Sequence, residues 1–366
     1  VKIVHLESGR HRYGGARQVG YLIEGLRRRG VENVLICVPG HPLAANRPRE
    51  EIRVLPMGGD LDIAMVPRLR RTFAAIEPDV VHVHSRRGAD LYGGLACALD
   101  QRPAVLTRRV DSAELPAWVR WKVRPYRRIV AISRAVEADL CDRIRIAPER
   151  VARITSAVDD RLFRPDRDAR ARVLREFALA DDAIVAAVSA QLIGRKGHRF
   201  LFASLPEIAA RHPRLRVLCF GRGPLRARLQ RQVAELGLGS VVRFAGFRDD
   251  LAALLPGADL VVHPAEREGL GVAVLEAMSC GVPVVATAVG GIPDVVADAV
   301  DGLLVPSGDR RGLAAAIERM IGDGAARQRF ALAARIRVQR EFSIQMMADR
   351  YLELYRDVCG STRAAL

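Results

Sequence analysis

Short runs of consecutive apolar residues alternate with longer amphipathic stretches along most of this chain. In the first half the apolar runs fall at 1–6, 33–38, 52–55, 80–83, 104–107, 129–132 and 151–154. They are continuous rather than alternating in polarity, as strands buried on both faces of a parallel sheet are. Segments such as 16–29 and 66–76 carry helical spacing between them. Near 159–182 the rhythm fails, because DDRLFRPDRDARARV brings proline and charge without a strand, and an interdomain linker is expected there. Apolar runs then resume at 184–188, 216–220, 241–244, 259–262, 283–286 and 302–305, with helical stretches between them and two more at 325–341 and 344–358. Repeated strand and helix of this kind predicts an α/β fold of two Rossmann-like, doubly wound domains. Ligands of such sheets bind beyond the strand carboxyl ends, so a cleft between the two domains is expected. The predicted division is 1–165 and 166–343.

The segment His263–Thr287, HPAEREGLGVAVLEAMSCGVPVVAT, carries the clearest chemistry. It reads as strand, turn, helix, strand. Gly269 and Gly271 loosen the turn, and Leu270 and Val272 lead into the helix. The unpaired N–H groups of a helix start attract phosphate. Glu268 before that start and Glu276 within the helix repel phosphate themselves, so they suit hydroxyls. A ligand with a phosphate centre and a polyol on each side is a nucleotide-sugar.

Three further loops suit an anionic ligand. Gly14 and Gly15 open the first helix of GGARQVGYLIEGL, where backbone can approach a ligand closely. Arg195 and Lys196 stand at the start of the helix after 184–188, a place unfavourable to cations unless an anion sits there. Lysine serves phosphate as a point charge and arginine as a two-pronged donor. In CFGRGPL, Gly221 and Gly223 make a turn that suits a nucleotide but lacks the third glycine of a dinucleotide fingerprint.

Composition narrows the class. The chain has 366 residues, 49% of them hydrophobic, and a formal charge of +16. About two thirds of the excess charge lies in residues 1–170, so an acidic partner of the first domain is expected. Six scattered cysteines without a C-x-x-C pair predict reduced thiols and no structural zinc. The N-terminus is too short and too polar to read as a signal peptide, and no run reaches eighteen apolar residues, so a cytoplasmic protein is expected. No Ser–His–Asp arrangement or HExxH occurs. Asp60, Asp62, Asp166 and Asp168 form two D-x-D triplets outside strong strands, so they read as solvated turns and no metal is assigned. His82 and His84 in DVVHVH are placed on opposite faces of a strand, one of them able to reach the cleft. WVRWKVRPYRR interleaves Trp118, Trp121 and Tyr126 with Arg120, Lys122, Arg124, Arg127 and Arg128. Interfacial membrane segments look like this. A packed helix with a solvated basic face and a single-stranded nucleic-acid site are the alternatives.

Taken in order, GGARQVGYLIEGLRRRG, PDVVHVH, IVAISRAV, VDDRLF, RKG, FGRGPL, VVRFAGF, the 263–287 unit, GGIPDVV, DGLLVPSGD and EFS with YLELY resemble the family 4, or group 1, glycosyltransferases of the GT-B fold. The resemblance covers nearly the whole chain and is strongest from Val185 to Tyr355. It implies that Glu268 contacts the donor sugar, Glu276 the ribose, and the amides near Leu270–Val272 the diphosphate. Lys196 would neutralise the leaving diphosphate, and Gly15 would close the phosphate site from the other domain. Residues Gly246–Arg248, with Phe247 among them, would lie beside the nucleobase. The helix from about 344 to 366 would cross back to the first domain.

Three positions depart from the family pattern. Gln191 stands where an arginine is usual, which leaves Arg195 to supply the second cation. Arg109, beside Arg108, stands where a histidine is usual; an arginine cannot act as a base there, so with His84 it could bind an anionic acceptor or a sugar. Ser156–Ala157 replaces a usual Asn-Gly. The resemblance implies a retaining, metal-independent transferase that moves a sugar from a nucleotide diphosphate to an acceptor hydroxyl. The basic first domain would dock a lipid-linked glycan, of lipopolysaccharide or capsule type, at the inner face of the cell membrane. A nonhydrolysing sugar-nucleotide epimerase, a non-catalytic sugar-nucleotide binder and a nucleic-acid-binding protein are the competing classes, and nucleic acid is not the expected partner.

Overall fold

In the computed structural model, which describes residues 1–9, 14–45, 48–85, 88–109 and 114–363, the apolar runs pair into two parallel sheets. The first contains β1 (Lys2–Glu7), β2 (Glu32–Cys37), β3 (Ile52–Val54), β4 (Val80–Val83), β5 (Ala104–Arg108), β6 (Arg128–Ala131) and β7 (Val151–Arg153), in the order β3-β2-β1-β4-β5-β6-β7. His5 of β1 stands opposite Leu35 on one side and His82 on the other. Ile3, Val80, Val105 and Val130 bury one face of the sheet against Tyr351, Tyr355 and Val358. Those three side chains come from the last helix, Ile344–Arg363, so the end of the chain completes the core of the first unit.

The second sheet contains β8 (Ile184–Ser189), β9 (Leu215–Phe220), β10 (Val242–Gly246), β11 (Leu260–His263), β12 (Val284–Thr287) and β13 (Leu303–Val305), in the order β10-β9-β8-β11-β12-β13. Its core joins Val188, Val217 and Val262 to Phe202, Ile317 and Phe330 from the covering helices.

The chain divides into Val1–Ala157 with Ile344–Leu366, and Val158–Ser343. The first division therefore falls before 165. Val158 N–H donates to Phe342 O (2.9 Å), and the Phe163 carbonyl accepts from Ser279 Oγ (2.6 Å). The expected linker instead holds the helix Ala169–Glu176, with Ala169 and Val173 buried. Its many arginines and aspartates mask a narrow apolar stripe.

Each sheet reverses its strand order once, between β1 and β4 and between β8 and β11. Loops leaving neighbouring strands diverge at such a point and open a crevice at the carboxyl edge.

Candidate functional site

The crevice of the second unit is built by two loops. After β8 the chain makes the tight turn Gly194–Lys196. Gly197 follows with φ 71°, and a Cβ there would collide with the Pro264 carbonyl, so only glycine permits the approach. The Arg195 carbonyl accepts the N–H groups of Glu266 (2.9 Å) and Arg267 (3.3 Å). The loop after β11 is thereby stitched to the loop after β8, and Lys196 Nζ meets Glu268 Oε2 in an ion pair. On the far side, Gly291 N–H donates to the Glu268 carbonyl (3.3 Å). Gly290, at φ 53°, packs too close to that carbonyl for any side chain.

His263, the last residue of β11, is buried and lies 3.1 Å from Glu268 Oε2 through Nε2. Burial holds its imidazole below the ordinary value against the opposing pull of Glu268, and the charges of Lys196 and Arg195 act in the same direction as burial. A neutral ring then donates Nε2–H to the carboxylate. Burial works to raise the Glu268 carboxyl, but the His263 hydrogen bond and the Lys196 charge prevail and hold it well below the usual carboxylate range. Glu268 is thus a fixed anion, an acceptor for hydroxyls and a poor proton donor. His198 begins the helix after Gly197 and is also buried; burial, His263 and Lys196 push its imidazole down to about 4. Neither of its ring nitrogens has a hydrogen-bond partner.

Gly269 N–H is engaged by Glu268 Oε1 (3.1 Å). Gly271 has φ 99° and precedes the helix Val272–Ser279, whose first bond runs from Val274 N–H to Gly271 O (2.9 Å). The N–H groups of Val272 and Ala273 stand ahead of that bond. The Leu270 side chain is buried, so it can offer a ligand only backbone. Glu276 lies one turn into the helix and is buried. Arg195 is exposed, and its guanidinium forms no ion pair among the described residues. Gly221 N–H donates to Gly246 O (2.7 Å), joining the ends of β9 and β10. The next residue after β10, Phe247, is half exposed, with the Arg222 guanidinium 4.9 Å above its ring.

Gly14 and Gly15 open the helix Gly14–Arg27 of the first unit, and a Cβ on Gly15 would lie 3.5 Å from Arg109 Cδ. His82 of β4 and His84, just past its end, lie on one side of the sheet, with ring centroids 3.7 Å apart, because residues two apart in extended chain point the same way. The expectation of opposite faces is corrected. Both rings are buried, and burial, added to neighbouring histidine rings and the Arg109 charge, holds them well below the ordinary value. Arg108 does not join this group. It is buried toward Glu114 (3.8 Å), which also binds Lys122.

Lys122 requires a second correction. Its Nζ is buried between Asp90 Oδ2 (2.8 Å) and Glu114 Oε1 (2.7 Å), so it presents no charge to a surface. Trp118 and Trp121 are 44% and 46% exposed and stack with centroids 5.0 Å apart, and Arg124 is exposed beside them. The two D-x-D triplets are tied to arginines: Asp62 pairs with Arg68, and Asp166 with Arg172 (2.9 Å). Sequence reasoning did not single out His263 or His198. His263 could have been found as the polar residue closing an apolar strand, whereas His198 reads as an ordinary helix residue.

The sequence model for Glycosyltransferase Family 4 matches residues 13–162, and that for Glycosyl transferases group 1 matches 170–337. The chain is 29% identical over 365 residues to the lipopolysaccharide core biosynthesis glycosyltransferase LpsE of Rhizobium meliloti, covering 97% of this chain and 98% of that one. It is 33% identical over 246 residues to the D-inositol 3-phosphate glycosyltransferase of Saccharomonospora viridis, covering 64% of this chain but only 56% of that one. Its fold matches the crystal structure of Anabaena HepE in complex with UDP and glucose, with a TM-score of 0.84, 22% identity and coverage of 96% and 98%. Two Rossmann-like domains and two adjoining family matches along one chain place it without ambiguity: it belongs to the family 4, or group 1, glycosyltransferases of the GT-B fold.

Proposed function

We propose that the protein transfers a hexosyl or related sugar from a nucleoside-diphosphate sugar to an acceptor hydroxyl, with retention of configuration and without a metal ion. The observation that carries this reading is the Lys196–Glu268–His263 group at the switch point of the second sheet. Glu268, held ionised, accepts hydrogen bonds from hydroxyls of the donor sugar. Lys196, Arg195 and the free amides at Val272 and Ala273 meet the charge that grows on the departing diphosphate, which is preorganised electrostatic stabilisation. Gly269, Leu270 and Gly271 shape that turn, Glu276 binds the ribose, and Gly221 and Phe247 border the base. The leaving phosphate takes the acceptor proton, so no side-chain base is needed.

The second unit then holds the donor and the first receives the acceptor. For the acceptor, a lipid-linked or lipopolysaccharide-type glycan is the reading supported by the likeness to LpsE. No helix among the described residues is long and apolar enough to cross a membrane. Trp118, Trp121 and Arg124 would hold a cytoplasmic enzyme against an anionic bilayer surface. Membership of the transferase family disfavours the epimerase reading.

A thermal-shift screen against UDP-, GDP-, ADP- and dTDP-sugars tests the donor assignment, because a ligand of the folded state raises the melting temperature. At least one should stabilise the native protein, and less so Lys196→Ala. Indifference to all four would overturn the reading.

A further inference from the structure

The hydrogen bonds of Glu268 leave its carboxylate little freedom. An ionised carboxylate has about four acceptor sites, two on each oxygen, and no proton to give. Oε2 faces both Lys196 Nζ and His263 Nε2, the latter at 3.1 Å. Because Glu268 only accepts, His263 is the donor, which places a proton on its Nε2. Oε1 accepts the Gly269 N–H (3.1 Å). Among the described residues no other donor reaches this carboxylate, so Oε2 is filled and Oε1 keeps one open site.

Exposure separates the roles of the three side chains. Those of Glu268 and Lys196 are 11% and 13% exposed, so a ligand can reach both. The His263 side chain, 3% exposed, is out of a ligand's reach and can act only through Glu268. It is also the most firmly placed of the three. His263 closes β11, an inner strand between β8 and β12, and stands opposite Ala286. Glu268 lies in the loop beyond that strand, on a long, rotatable side chain. Lys196 holds the carboxylate without orienting it, since an ammonium is a point charge on a flexible stem. The rigid ring of His263 supplies the direction, and the remaining N–H groups of Lys196 stay available for a diphosphate.

We propose that His263 is a positioning residue that fixes the rotation of the Glu268 carboxylate, so that Oε1 alone faces the donor sugar and accepts a single hydroxyl. This rests on the reading that Glu268 contacts the donor, and it narrows that contact from hydroxyls in general to one. Without the ring, a site on Oε2 opens, the carboxylate turns about its terminal bond, and either oxygen can meet the sugar. The loss then falls on alignment of the sugar in the transition state. Binding of the nucleotide, assigned to Glu276 and the helix start, is spared.

The test has a ligand-free arm and a donor arm. Nitrogen-15 spectra of the ligand-free protein, labelled in its histidines and assigned with His263→Gln, should show His263 protonated at Nε2 and bare at Nδ1. Glu268→Gln should move that Nε2 signal. With the nucleotide-sugar found by thermal shift, His263→Leu should lower kcat by about 10²-fold, the scale of a small misplacement at a reacting centre. Its donor KM and its stabilisation by the free nucleoside diphosphate should stay native. His263→Gln, whose amide N–H can reach the same oxygen, should recover most of the lost turnover, which a purely structural role does not explain. In calorimetry with singly deoxygenated donors, one hydroxyl alone should be energetically coupled to Glu268→Gln. A proton on Nδ1, full kcat in His263→Leu, a Gln variant no better than Leu at equal Tm, or two hydroxyls coupled to Glu268 overturns the proposal. If no nucleotide-sugar stabilises the native protein, the donor reading falls and takes this one with it, whereas any of the other failures leaves the donor reading standing.

Discussion

Lys196 and Glu268 form an ion pair across 72 residues of sequence, one from each loop flanking the β8–β11 switch point. The pair serves both partners. Glu268 fixes a long, rotatable lysine chain before any ligand arrives, and Lys196 keeps the carboxylate ionised in a buried place. Removing the lysine strips charge stabilisation from the leaving group and leaves Glu268 with His263 and the Gly269 N–H. Lys196→Ala should lower kcat by about 10²–10³-fold, the scale of one lost preorganised donor. Glu268→Ala should also abolish transfer, whereas Lys196→Arg should keep donor binding better than it keeps turnover. Steady-state kinetics with the nucleotide-sugar found by thermal shift would check all three. Full turnover in Lys196→Ala would refute the diphosphate role.

The same pair has a pH signature. The folded-state carboxyl of Glu268 lies below its ordinary value of 4.5. Its stabilising contribution is therefore complete above that ordinary value and is lost only as pH falls through the depressed one. Chemical denaturation should give a constant stability difference between the native protein and Glu268→Gln from pH 5 to 8, narrowing only in stronger acid.

His198 should behave in the opposite sense. Its folded-state imidazole is pushed from 6.5 to about 4, so the unfolded chain binds a proton that the folded one refuses. Stability falls as pH drops through this window, by up to about 3 kcal/mol from this residue. His263, His82 and His84 are lowered too and add to the slope. His198→Leu removes two unsatisfied nitrogens together with the titration. Its unfolding free energy should decline less between pH 6.5 and 4 than that of the native protein, and equal slopes would contradict the assignment.

Gly197 is the structural condition for the site. An alanine there would be strained at φ 71° and would press its methyl group on the Pro264 carbonyl. Gly197→Ala should cost at least about 1–3 kcal/mol and separate the two loops that bring Lys196 to Glu268. The expected result is a lower Tm together with loss of nucleotide-sugar stabilisation. A variant with native Tm and native ligand response would show that the loops are not joined this way.

What was legible in the sequence follows from what is local. Thirteen apolar runs mark the thirteen strands among the described residues, most of them because a strand covered on both faces must be apolar at consecutive positions; β3 and β7, one at each edge of the first sheet, are largely uncovered. The turn glycines and Glu268 were legible for the same reason. The helix Ala169–Glu176 was not, because its apolar stripe is two residues wide and its charges dominate the composition. Partnerships across the fold were not legible either. The Lys196–Glu268 contact depends on β8 and β11 being neighbours, and the burial of Lys122 depends on Asp90 arriving from the helix Ala89–Leu99.

The tryptophan segment separates two properties that sequence reading had joined. Trp118 and Trp121 are exposed, whereas Lys122, the residue after Trp121, is buried with two carboxylates. Arg150 further fixes this segment by donating to the carbonyls of Val123 (3.0 Å) and Tyr126 (2.6 Å), so the exposed rings stand on a firm base. Replacing both tryptophans by serine should therefore abolish binding to anionic vesicles and leave the fold intact. Arg124→Gln should weaken vesicle binding by about 1 kcal/mol, the value of one basic residue at a charged surface. Lys122→Met should instead leave Asp90 buried beside no cation and destabilise the fold by about 3–5 kcal/mol. Co-sedimentation with anionic and neutral vesicles, paired with thermal unfolding, distinguishes the two effects. Equal, negligible binding of the native protein to both vesicle types would remove the membrane surface from the proposal.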